Sequence, residues 1–518
     1  MNIATLLQNA GCNYGDKPAV CLGDSTVHTY ARLCARAAAL ASCLRSKFGL
    51  EQGDRIAIVM TNVPEYLEVL FGTWWAGMIV VPINARLHAR EIEYILQKSN
   101  ARLCFVNADT ESALSDISLS AEALKHVISV QGHEFRQMQM SDPSELVHCE
   151  TAEPAWLFFT SGTTGRPKAA TLTHRNLLMM TLSYLADIQH VTPHHAIFHA
   201  APMSHGTGLL AIPHLAKGSP NVLLESRSLD HSEIFETLGT YRNVTMYHTP
   251  TMVKRLTNHP QLATAPLQNL DCVFYGGSPM YVADLMLAIE RLGPRLAQMW
   301  AQAETPNTGT VLTKAHHADT GHPRYMARMA SAGTVRTGVE LRTADPSGET
   351  VPCGELGEVL VRGDTVMAGY WEAPEATAET IRGGWLHTGD IGSIDQDGFL
   401  SIQDRVKDMI ISGGFNIYPR EIEEVLLSHR GVAEAAVIGR PHSDLVEEVV
   451  ACVVTAPGET VTASDLDGLC LNHIARFKRP REYFFLSELP KGYYGKIEKR
   501  RLREHLAHGS NQSLESKA

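Results

Sequence analysis

The sequence contains no Cys-x-x-Cys pair, no His-Glu-x-x-His motif and no apolar segment long enough to cross a membrane. Its ten cysteines lie singly along the chain, so neither a zinc ribbon nor a dithiol redox centre is encoded. The uncharged run from Val69 to Ala85 is shorter than the roughly 20 residues that a membrane-spanning helix needs. These absences predict a protein without a structural zinc site, a dithiol centre or a membrane span.

Positive charge is also scarce. Lys and Arg number 45 against 56 Asp and Glu, which gives a formal net charge of −11. A nucleic-acid backbone is bound by concentrated positive charge, so we predict no nucleic-acid partner. Hydrophobic residues at 44% and charged residues at 19% are typical of a folded chain. Scattered cysteines in a large chain predict reduced thiols and a cytoplasmic location.

The 518 residues are enough for roughly three to four domain-sized units. Short apolar runs alternate with helical patterns, and several runs are almost continuously hydrophobic, as strands covered on both faces are. The predicted strands are Arg55–Met60, Ala101–Val106, Ala155–Thr160, Ala196–Ala200, Asn221–Leu224, Val244–Tyr247 and Asp271–Tyr275. The predicted helices are His88–Lys98, His174–Ala186, His231–Leu238 and Tyr281–Leu292. This alternation predicts an α/β fold with two mostly parallel sheets in a layered arrangement.

Two changes of pattern divide the chain. From Ser331 to Asp404 short strands are broken by glycine-rich turns, which predicts a small antiparallel β subdomain. After Asp404 a short strand, a helix, two strands and another helix predict a compact α+β domain. We expect a large N-terminal domain over residues 1–404, with α/β sheet subdomains over 1–330 and the β subdomain over 331–404, then a small C-terminal domain over 405–508 and a polar tail over 509–518.

A loop of small residues follows the strand Ala155–Thr160 and leads to a lysine and then to a helix. Glycines let backbone N–H groups approach one anion closely, and hydroxyl groups add further donors. The lysine supplies a compact positive charge. The Walker pattern does not fit, because the residue five positions after Gly162 is Pro167. The segment predicts a phosphate cradle made of Thr160, Ser161, Gly162, Thr163, Thr164, Gly165 and Lys168.

This cradle and several later segments resemble, in order and spacing, the motifs of the adenylate-forming superfamily. That superfamily includes acyl-CoA synthetases, peptide-synthetase adenylation domains and firefly-type luciferases. The later segments are Tyr275–Pro279, Glu358–Gly363 with Gly369-Tyr370, Trp385–Asp390, Asp404–Asp408, Ser412–Ile417 with Pro419–Glu423, and Pro490–Ile497. The resemblance extends from the first helices to about residue 505. Matches that are collinear over this length are far more specific than any single motif.

The resemblance implies a binding site for ATP. The tripeptide Thr-Gly-Asp that ends at Asp390 would offer two acceptor oxygens to the hydroxyls of a ribose. Trp300 would present an aromatic face beside adenine. The nucleotide contacts that the resemblance assigns outside the phosphate cradle are Gly276, Gly277, Ser278, Trp300, Ala301, Gln302, Asp390, Arg405 and Lys407.

The resemblance also implies residues for the chemistry. Glu304 and Thr164 would hold Mg²⁺ against the phosphates, since hard oxygen ligands suit a hard cation. Lys496 would bridge the substrate carboxylate and the α-phosphate and so offset the charge of two anions that are forced together. His205 aligns with a family residue at the mouth of the acyl pocket.

The implied reaction has two steps and uses ATP, Mg²⁺ and coenzyme A. A carboxylate, already ionised at neutral pH, attacks the α-phosphate to give acyl-adenylate and pyrophosphate. The thiol of coenzyme A then displaces AMP. Gly413 and Gly414 would leave a passage for the pantetheine arm, and Lys407 would be the hinge of a small, mobile C-terminal lid. The expected partners are a small-molecule carboxylic acid, ATP and coenzyme A, and a homodimer is left open.

The chain departs from the family's Tyr-Gly-x-Thr-Glu pattern between Trp300 and Glu304. Ala303 replaces a threonine whose hydroxyl would contact phosphate, and the loss of one charge-assisted hydrogen bond costs about 1.5–3 kcal/mol unless Thr305 compensates. Ala301 stands where acetate-type members place a tryptophan that closes the acyl pocket. We therefore expect a medium-sized, cyclic or aromatic acid rather than acetate.

Three alternatives remain open beside an ATP-dependent acid–CoA ligase. The first is a freestanding adenylation enzyme that loads a carrier-protein thiol, and the second is a luciferase-like oxygenase. The third, motivated by Ala303, is a non-catalytic homologue that binds a nucleotide or acyl group. Acid-dependent exchange of labelled pyrophosphate into ATP separates the third from the enzymes, and oxygen consumption without coenzyme A identifies the second.

Replacing Lys496 with alanine separates the two steps. We expect Lys496→Ala to lose adenylate formation, because the charge between the two anions is gone, yet still to convert a supplied acyl-adenylate to the thioester. Pyrophosphate exchange and thioester formation are measured separately. An equal fall in both would show that Lys496 is structural or shared between the steps.

Overall fold

The computed structural model describes residues 1–114, 123–160, 167–278, 280–405, 408–412, 415–442, 445–492 and 496–507. The polar tail predicted over 509–518 falls outside these ranges. The predicted site residues that also fall outside them are Ser161, Gly162, Thr163, Thr164, Gly165, Lys407, Gly413 and Gly414.

The strands of the described residues form four sheets. In chain order, β1 to β26 are Pro18–Leu22, Ser25–Thr29, Arg55–Val59, Ile79–Pro82, Leu103–Val106, His126–Ser129, Pro154–Thr160, Lys168–Thr173, Ala196–His199, Asn221–Leu223, Val244–His248, Leu270–Tyr275, Leu296–Trp300, Thr310–Leu312, Thr334–Val335, Val339–Ala344, Gly357–Gly363, Gly369–Tyr370, Ile381–Arg382, Trp385–Ile394, Leu400–Arg405, Ile410–Ser412, Phe415–Ile417, Val432–His442, Val446–Thr455 and Glu482–Phe485. Every strand predicted for the first 330 residues is present, with ends that move by two residues or fewer.

The helices lie mostly between and around these strands. In chain order, α1 to α17 are Thr5–Tyr14, Tyr30–Ser46, Glu65–Trp75, Ala89–Ser99, Ala108–Leu114, His133–Met138, His174–Asp187, Gly206–Ala216, His231–Thr237, Pro250–Thr257, Val282–Leu292, Lys314–Ala318, Tyr325–Met329, Pro374–Thr380, Pro419–Leu427, Ala463–His473 and Lys499–Ala507. Short 3₁₀ helices span Pro260–Thr264 and Leu267–Asn269. In the part of the chain that the structure describes, no helix combines the length and apolar character needed to span a membrane.

Two mostly parallel sheets build the α/β part of the large domain. Their strand orders are β15-β14-β13-β12-β11-β9-β10-β1-β2 and β18-β8-β7-β4-β3-β5-β6. The antiparallel pairs lie towards the sheet ends, at β13–β14–β15 and β1–β2 in the first sheet and at β7–β8–β18 in the second. Parallel neighbours need crossover connections, which helices provide. The predicted layered α/β class is confirmed.

Helix α3 lies in the core of the large domain because nearly every one of its faces is apolar. All its residues from Tyr66 to Trp75 are buried, as expected for a helix that is hydrophobic all round. The Trp74 ring packs edge-on against Phe71, with 5.2 Å between ring centroids, and lies 6.1 Å from Trp156 of β7. Its indole N–H donates to the carbonyl of Ala155 at 2.8 Å. These contacts fix β7, the strand that leads to the predicted phosphate cradle.

The segment after the predicted cradle differs from the sequence expectation. Lys168 does not lead directly to a helix, since it begins strand β8, which pairs antiparallel with β7 so that Thr160 lies opposite Lys168. The alanines of Lys168–Thr173 have weak β propensity, and pairing with β7 on one side and β18 on the other makes the segment a strand. The cradle residues therefore join two antiparallel strands.

The start of helix α7 links strand β8, which begins with Lys168, to the β subdomain. Thr173 caps the helix, because its hydroxyl accepts from the Asn176 N–H at 3.2 Å and its own N–H donates to the Asn176 side-chain oxygen at 2.7 Å. The Asn176 amide also donates to the carbonyls of Asp364 and Val366, both at 2.8 Å. These bonds hold the residues just before β18 beside β8.

The β subdomain is antiparallel, as predicted. Its strand order is β16-β17-β20-β19, and β21 pairs with β20. The register places Asp390 of β20 opposite Arg405 of β21. Its limits at residues 331 and 404 stay predictions.

The small C-terminal domain has its own sheet, in the order β23-β22-β25-β24, with β26 beside β25. It contacts the large domain through α15 and β24. The Tyr281 hydroxyl donates to Glu423 at 3.0 Å, the Val282 N–H donates to Glu424 at 3.4 Å, and the Lys254 ammonium donates to the Ala433 carbonyl at 3.2 Å. The first two bonds lie directly after the predicted adenine loop, so the placement of the small domain is linked to that loop.

The close packing of Gly333, directly before β15, leaves no room for a side chain. Gly333 has φ +86°, and a Cβ there would lie 2.1 Å from the Val311 carbonyl carbon and oxygen in β14. Gly333→Ala should lower the melting temperature strongly. The new Cβ would force the backbone at Val311 to move, and alanine would also be strained at this positive φ. Gly354→Ala is the matched control, since φ is +84° and a Cβ would meet nothing within 4 Å; strain alone costs about 1–3 kcal/mol. Equal melting temperatures would contradict the close approach.

Candidate active site

The site lies at one edge of the first large sheet. Strands β13, β12, β11 and β9 are parallel neighbours, so their carboxyl ends meet at the same edge, where open α/β sheets bind ligands. Gly276, Gly277 and Ser278 follow β12, and His205 follows β9. The segment Trp300–Glu304 begins with the last residue of β13. The topology therefore brings together segments that are distant in sequence.

The side chain of Asp390 is the best-anchored group at this edge. It is buried, and its Oδ2 accepts from the Trp300 indole N–H at 2.9 Å and from the Gln302 amide at 3.0 Å. Its Oδ1 lies 3.1 Å from Nε of Arg405. A buried carboxylate is costly unless it is paired and hydrogen-bonded, and here three side chains meet that need. Trp300, Gln302 and Arg405 were each predicted as nucleotide contacts, and all three contact Asp390, a fourth predicted residue.

This bonding limits what Asp390 can still accept. An ionised carboxylate has about four acceptor positions, and the hydrogen bonds from Trp300 and Gln302 fill two of them, both on Oδ2. Oδ1 faces Arg405 in an ion pair and is therefore the oxygen left to accept from a hydroxyl group. Arg405 is the more exposed partner of that ion pair, with 38% of its side chain accessible against 5% for Asp390.

The backbone around Asp390 is fixed by two residues that the sequence reasoning did not assign. The Thr388 hydroxyl donates to the Val359 carbonyl at 2.7 Å and accepts from the Asp390 N–H at 3.1 Å. Glu358 accepts from the Gly389 N–H at 3.1 Å. Both residues lie in motifs that the sequence identified, but the contact of Glu358 with Gly389 depends on the pairing of β17 with β20.

The ring of Trp300 lies against a glycine. A Cβ at Gly309 would lie 2.6 Å from the Trp300 carbonyl oxygen and 2.8 and 2.9 Å from two of its ring carbons. A side chain at residue 309 would therefore displace the indole that donates to Asp390. No pattern in the sequence marks Gly309, because the contact crosses from β13 to the start of β14.

A second cluster joins Lys168, Tyr370 and Glu304. The Tyr370 hydroxyl donates to Glu304 at 2.7 Å, and the Lys168 ammonium lies 5.3 Å from the centre of the Tyr370 ring. Burial, and then the nearby Glu304 carboxylate, raise the pKa of Tyr370 above its ordinary value, so the phenol keeps its proton at neutral pH. The cluster brings the predicted phosphate lysine close to the predicted metal carboxylate.

The five residues from Trp300 to Glu304 connect the two clusters. Trp300 and Gln302 contact Asp390, and Glu304 contacts Tyr370. Thr305 is buried, and its hydroxyl accepts from the Gln302 N–H at 3.2 Å. That bond gives the Thr305 hydroxyl a role inside the turn, and its compensation for Ala303 stays a prediction. Ala301 and Ala303 are half-buried in the same turn.

The predicted adenine loop packs tightly beneath these residues. A Cβ at Gly276 would lie 2.6 Å from the Met299 carbonyl oxygen, and Gly277 has φ +85° with the Tyr247 hydroxyl 3.0 Å from its would-be Cβ. Ser278 is half-buried. Both glycines are therefore required by the backbone, whatever they bind.

His205 and Lys496 lie in different surroundings from the two clusters. The His205 Nδ1 lies 3.1 Å from the Ser204 hydroxyl, and its ring packs edge-on against Phe158, with 5.5 Å between centroids. Burial lowers the pKa of His205 to about 4, so at neutral pH it is uncharged. Lys496 is an exposed residue of the small domain, and its carbonyl accepts from the Gly492 N–H at 2.9 Å. The roles of both residues stay predictions.

The remaining predicted residues are Thr160 and those outside the described ranges. Thr160 ends β7, and its hydroxyl lies 3.5 Å from the Lys168 carbonyl. Among the described residues, no group of three or more His, Cys, Asp and Glu is arranged to hold a metal ion. The nucleotide roles of Ser161, Gly162, Thr163, Thr164, Gly165 and Lys407, and the thiol passage at Gly413 and Gly414, stay predictions.

Comparison with known families identifies the class of this protein. Residues 7–371 match the AMP-binding enzyme family, and residues 421–496 match the C-terminal domain of AMP-binding enzymes. The chain belongs to the AMP-binding enzyme family. The resemblance to the adenylate-forming superfamily and the prediction of an enzyme are thereby confirmed.

Individual relatives cover nearly the whole chain. A feruloyl-CoA synthase from Amycolatopsis sp is 36% identical over 483 residues, which is 92% of this chain and 94% of the relative. A fatty acid–[acyl-carrier-protein] ligase, ScoC, from Streptomyces coeruleorubidus is 34% identical and covers 94% of this chain and 93% of its own. The crystal structure of ATP-bound MatB from Rhodopseudomonas palustris is similar with a TM-score of 0.87 and 27% identity, over 98% of this chain and 99% of that one.

Removing one donor to Asp390 tests its role in nucleotide binding. Trp300→Phe keeps an aromatic ring but lacks the indole N–H, and we expect the dissociation constant for AMP to rise about 10-fold. The preference for AMP over 2′-deoxy-AMP should shrink, because a displaced carboxylate discriminates less. Both constants are measured by isothermal titration calorimetry. Trp385→Phe is the control, since this residue of β20 packs against Arg342 and Arg362 instead. An unchanged preference in Trp300→Phe would contradict the ribose assignment.

Proposed function

We propose that this protein is an ATP-dependent acid–CoA ligase. It joins a carboxylic acid to AMP with release of pyrophosphate and then transfers the acyl group to the thiol of coenzyme A. The observation that carries the proposal is the segment Trp300–Glu304, which contacts the Asp390 cluster at one end and the Lys168–Tyr370 cluster at the other. A nucleotide needs a hydrogen-bond acceptor for its ribose hydroxyls, as Asp390 provides, and a positive charge for its phosphates, as Lys168 provides. The two groups must lie at a fixed separation, because the nucleotide joins ribose and phosphates covalently.

Glu304 fits a magnesium ion that accompanies the phosphates. It is a half-buried carboxylate beside the Lys168 cluster, and its Oε1 is held by a neutral phenol that does not cancel its charge. Mg²⁺ prefers oxygen ligands and usually keeps several waters, so one or two carboxylates together with phosphates suffice. We assign Glu304, with Thr164, to this ion. When bound, Mg²⁺ would offset negative charge on the phosphate oxygens.

The residues of this chain divide the work of the first step between them. Asp390 orients the ribose, Lys168 supplies positive charge near the phosphates, and Lys496 offsets charge between the substrate carboxylate and the α-phosphate. A general base is unnecessary, because a carboxylic acid with a pKa of about 4 is ionised at neutral pH. Catalysis of this step is positioning together with charge stabilisation.

We propose a medium-sized, cyclic or aromatic acid as the substrate. Ala301 leaves room where acetate-type relatives carry a tryptophan, and the feruloyl-CoA synthase supports an aromatic acid. His205 is uncharged at neutral pH and packs on Phe158, so this wall of the proposed acyl pocket is suited to an apolar group. A cytoplasmic location and a homodimer stay predictions.

A second candidate function differs in the thiol acceptor. The relative ScoC is a fatty acid–[acyl-carrier-protein] ligase at 34% identity, which favours a carrier-protein thiol as the alternative to coenzyme A. Both functions share the first step. Only the acceptor that supports AMP release distinguishes them.

The proposal is tested by supplying ATP, Mg²⁺ and coenzyme A with ferulate, benzoate, hexanoate or acetate and measuring AMP and thioester. We expect turnover with the larger acids at least about 10-fold faster than with acetate, because unfilled apolar pocket volume costs binding energy in the transition state. Omission of coenzyme A should abolish multiple turnover. AMP release that needs a carrier protein would favour the second candidate, and activity with acetate alone would contradict the open pocket.

A further inference from the structure

Tyr370 belongs to a motif that the sequence identified but to which no role was assigned. It ends the two-residue strand β18, which pairs with β8 so that Tyr370 lies opposite Ala170. Its side chain reaches both Glu304, which follows β13 of the first sheet, and Lys168, which begins β8 of the second sheet. One tyrosine therefore contacts two charged groups of the site that arrive from different sheets.

The contact with Glu304 is made twice from the same short segment. The Tyr370 hydroxyl donates to Glu304 Oε1 at 2.7 Å, and the Met367 N–H donates to the Glu304 carbonyl at 2.8 Å. Side chain and backbone of Glu304 are therefore both fixed relative to β18. Oε1 is thus the carboxylate oxygen that Tyr370 holds, and within the described residues Oε2 accepts no hydrogen bond.

The position of Tyr370 is itself well determined. The backbone N–H groups of Ala368 and Trp371 donate to Thr171 and Ala169 of β8 at 2.9 and 2.8 Å. The Tyr370 N–H donates to the Thr377 hydroxyl at 2.8 Å. Its ring is further held by Lys168, because an ammonium within about 6 Å of an aromatic face is attracted to it. These contacts make Tyr370 a rigid support rather than a loose surface side chain.

From these contacts we infer that Tyr370 is a positioning residue that orients the Glu304 carboxylate for the divalent cation that accompanies the nucleotide. The inference rests on the proposed function, since it needs a metal–nucleotide complex at this site. A neutral donor suits the task, because it fixes one oxygen without cancelling the charge that attracts the cation. Tyr370 would act through Glu304 and would not itself be a metal ligand.

Tyr370→Phe keeps the ring against Lys168 and removes the hydroxyl. The probe is Mn²⁺ with the non-hydrolysable analogue adenosine 5′-(α,β-methylene)triphosphate, and Mn²⁺ binding is measured by electron paramagnetic resonance. We expect the dissociation constant of Mn²⁺ in the ternary complex to rise about 10-fold, as for other groups that orient a metal ligand. Affinity for the analogue in the absence of metal should be unchanged. A general loss of structure would lower this affinity as well, so the measurement separates the two causes.

Two further variants make the result specific. Tyr241→Phe is the matched control, because its hydroxyl donates to the Gly23 carbonyl at 2.9 Å in another part of the large domain; Mn²⁺ affinity should not change. In a Glu304→Gln background, Tyr370→Phe should cause no further loss, since residues that act through one another are not additive.

Each outcome decides a different question. Equal Mn²⁺ affinity in Tyr370→Phe and the unaltered protein would overturn the inference. The same loss in the presence and absence of the Glu304→Gln change would also overturn it, because Tyr370 would then act by another path. Failure of the unaltered protein to bind Mn²⁺ with the analogue would instead contradict the proposed function.

Discussion

The carboxylate of Asp390 and the segment Trp300–Glu304 hold the site together. Trp300 at the end of β13 and Gln302 just after it donate to Asp390. Arg405 reaches Asp390 from β21, and Glu304 contacts Tyr370 at the other end of the segment. Four residue steps span at most about 14 Å even in an extended chain. The separation between the two clusters is therefore limited by the backbone itself, and any ligand that contacts both must match it.

The electrostatics of the site explain how an acidic protein can bind a polyanion. The chain carries a net charge of −11, so attraction to phosphate must be local. Lys168 and Arg405 supply positive charge, while Asp390 and Glu304 are held largely by the neutral donors of Trp300, Gln302 and Tyr370. Neutral donors fix a carboxylate without neutralising it. The acidic groups thus keep the charge that their proposed roles towards ribose hydroxyls and a divalent cation require.

Much of the fold followed from local pattern, and the exceptions have physical causes. Continuous apolar runs predicted strands such as Arg55–Val59 and Leu270–Tyr275 to within two residues, because burial on both faces leaves a clear signature. Strand β8 was not predicted, since its alanines carry no strong preference and its neighbours β7 and β18 impose the extended form. Tyr370 lay in a motif that the sequence identified, but its role required knowing that β18 lies beside β8.

The sequence by itself determined the family and the α/β class, and it predicted site groups such as Lys168, Glu304 and Asp390, because these depend on residue type and order. Tertiary structure alone decided which groups meet. The bonds from Trp300 to Asp390 and from Tyr370 to Glu304 join residues 90 and 66 positions apart. Contacts over such separations depend on how whole sheets pack. A single sequence shows which residues are available for packing but not which of them are in contact.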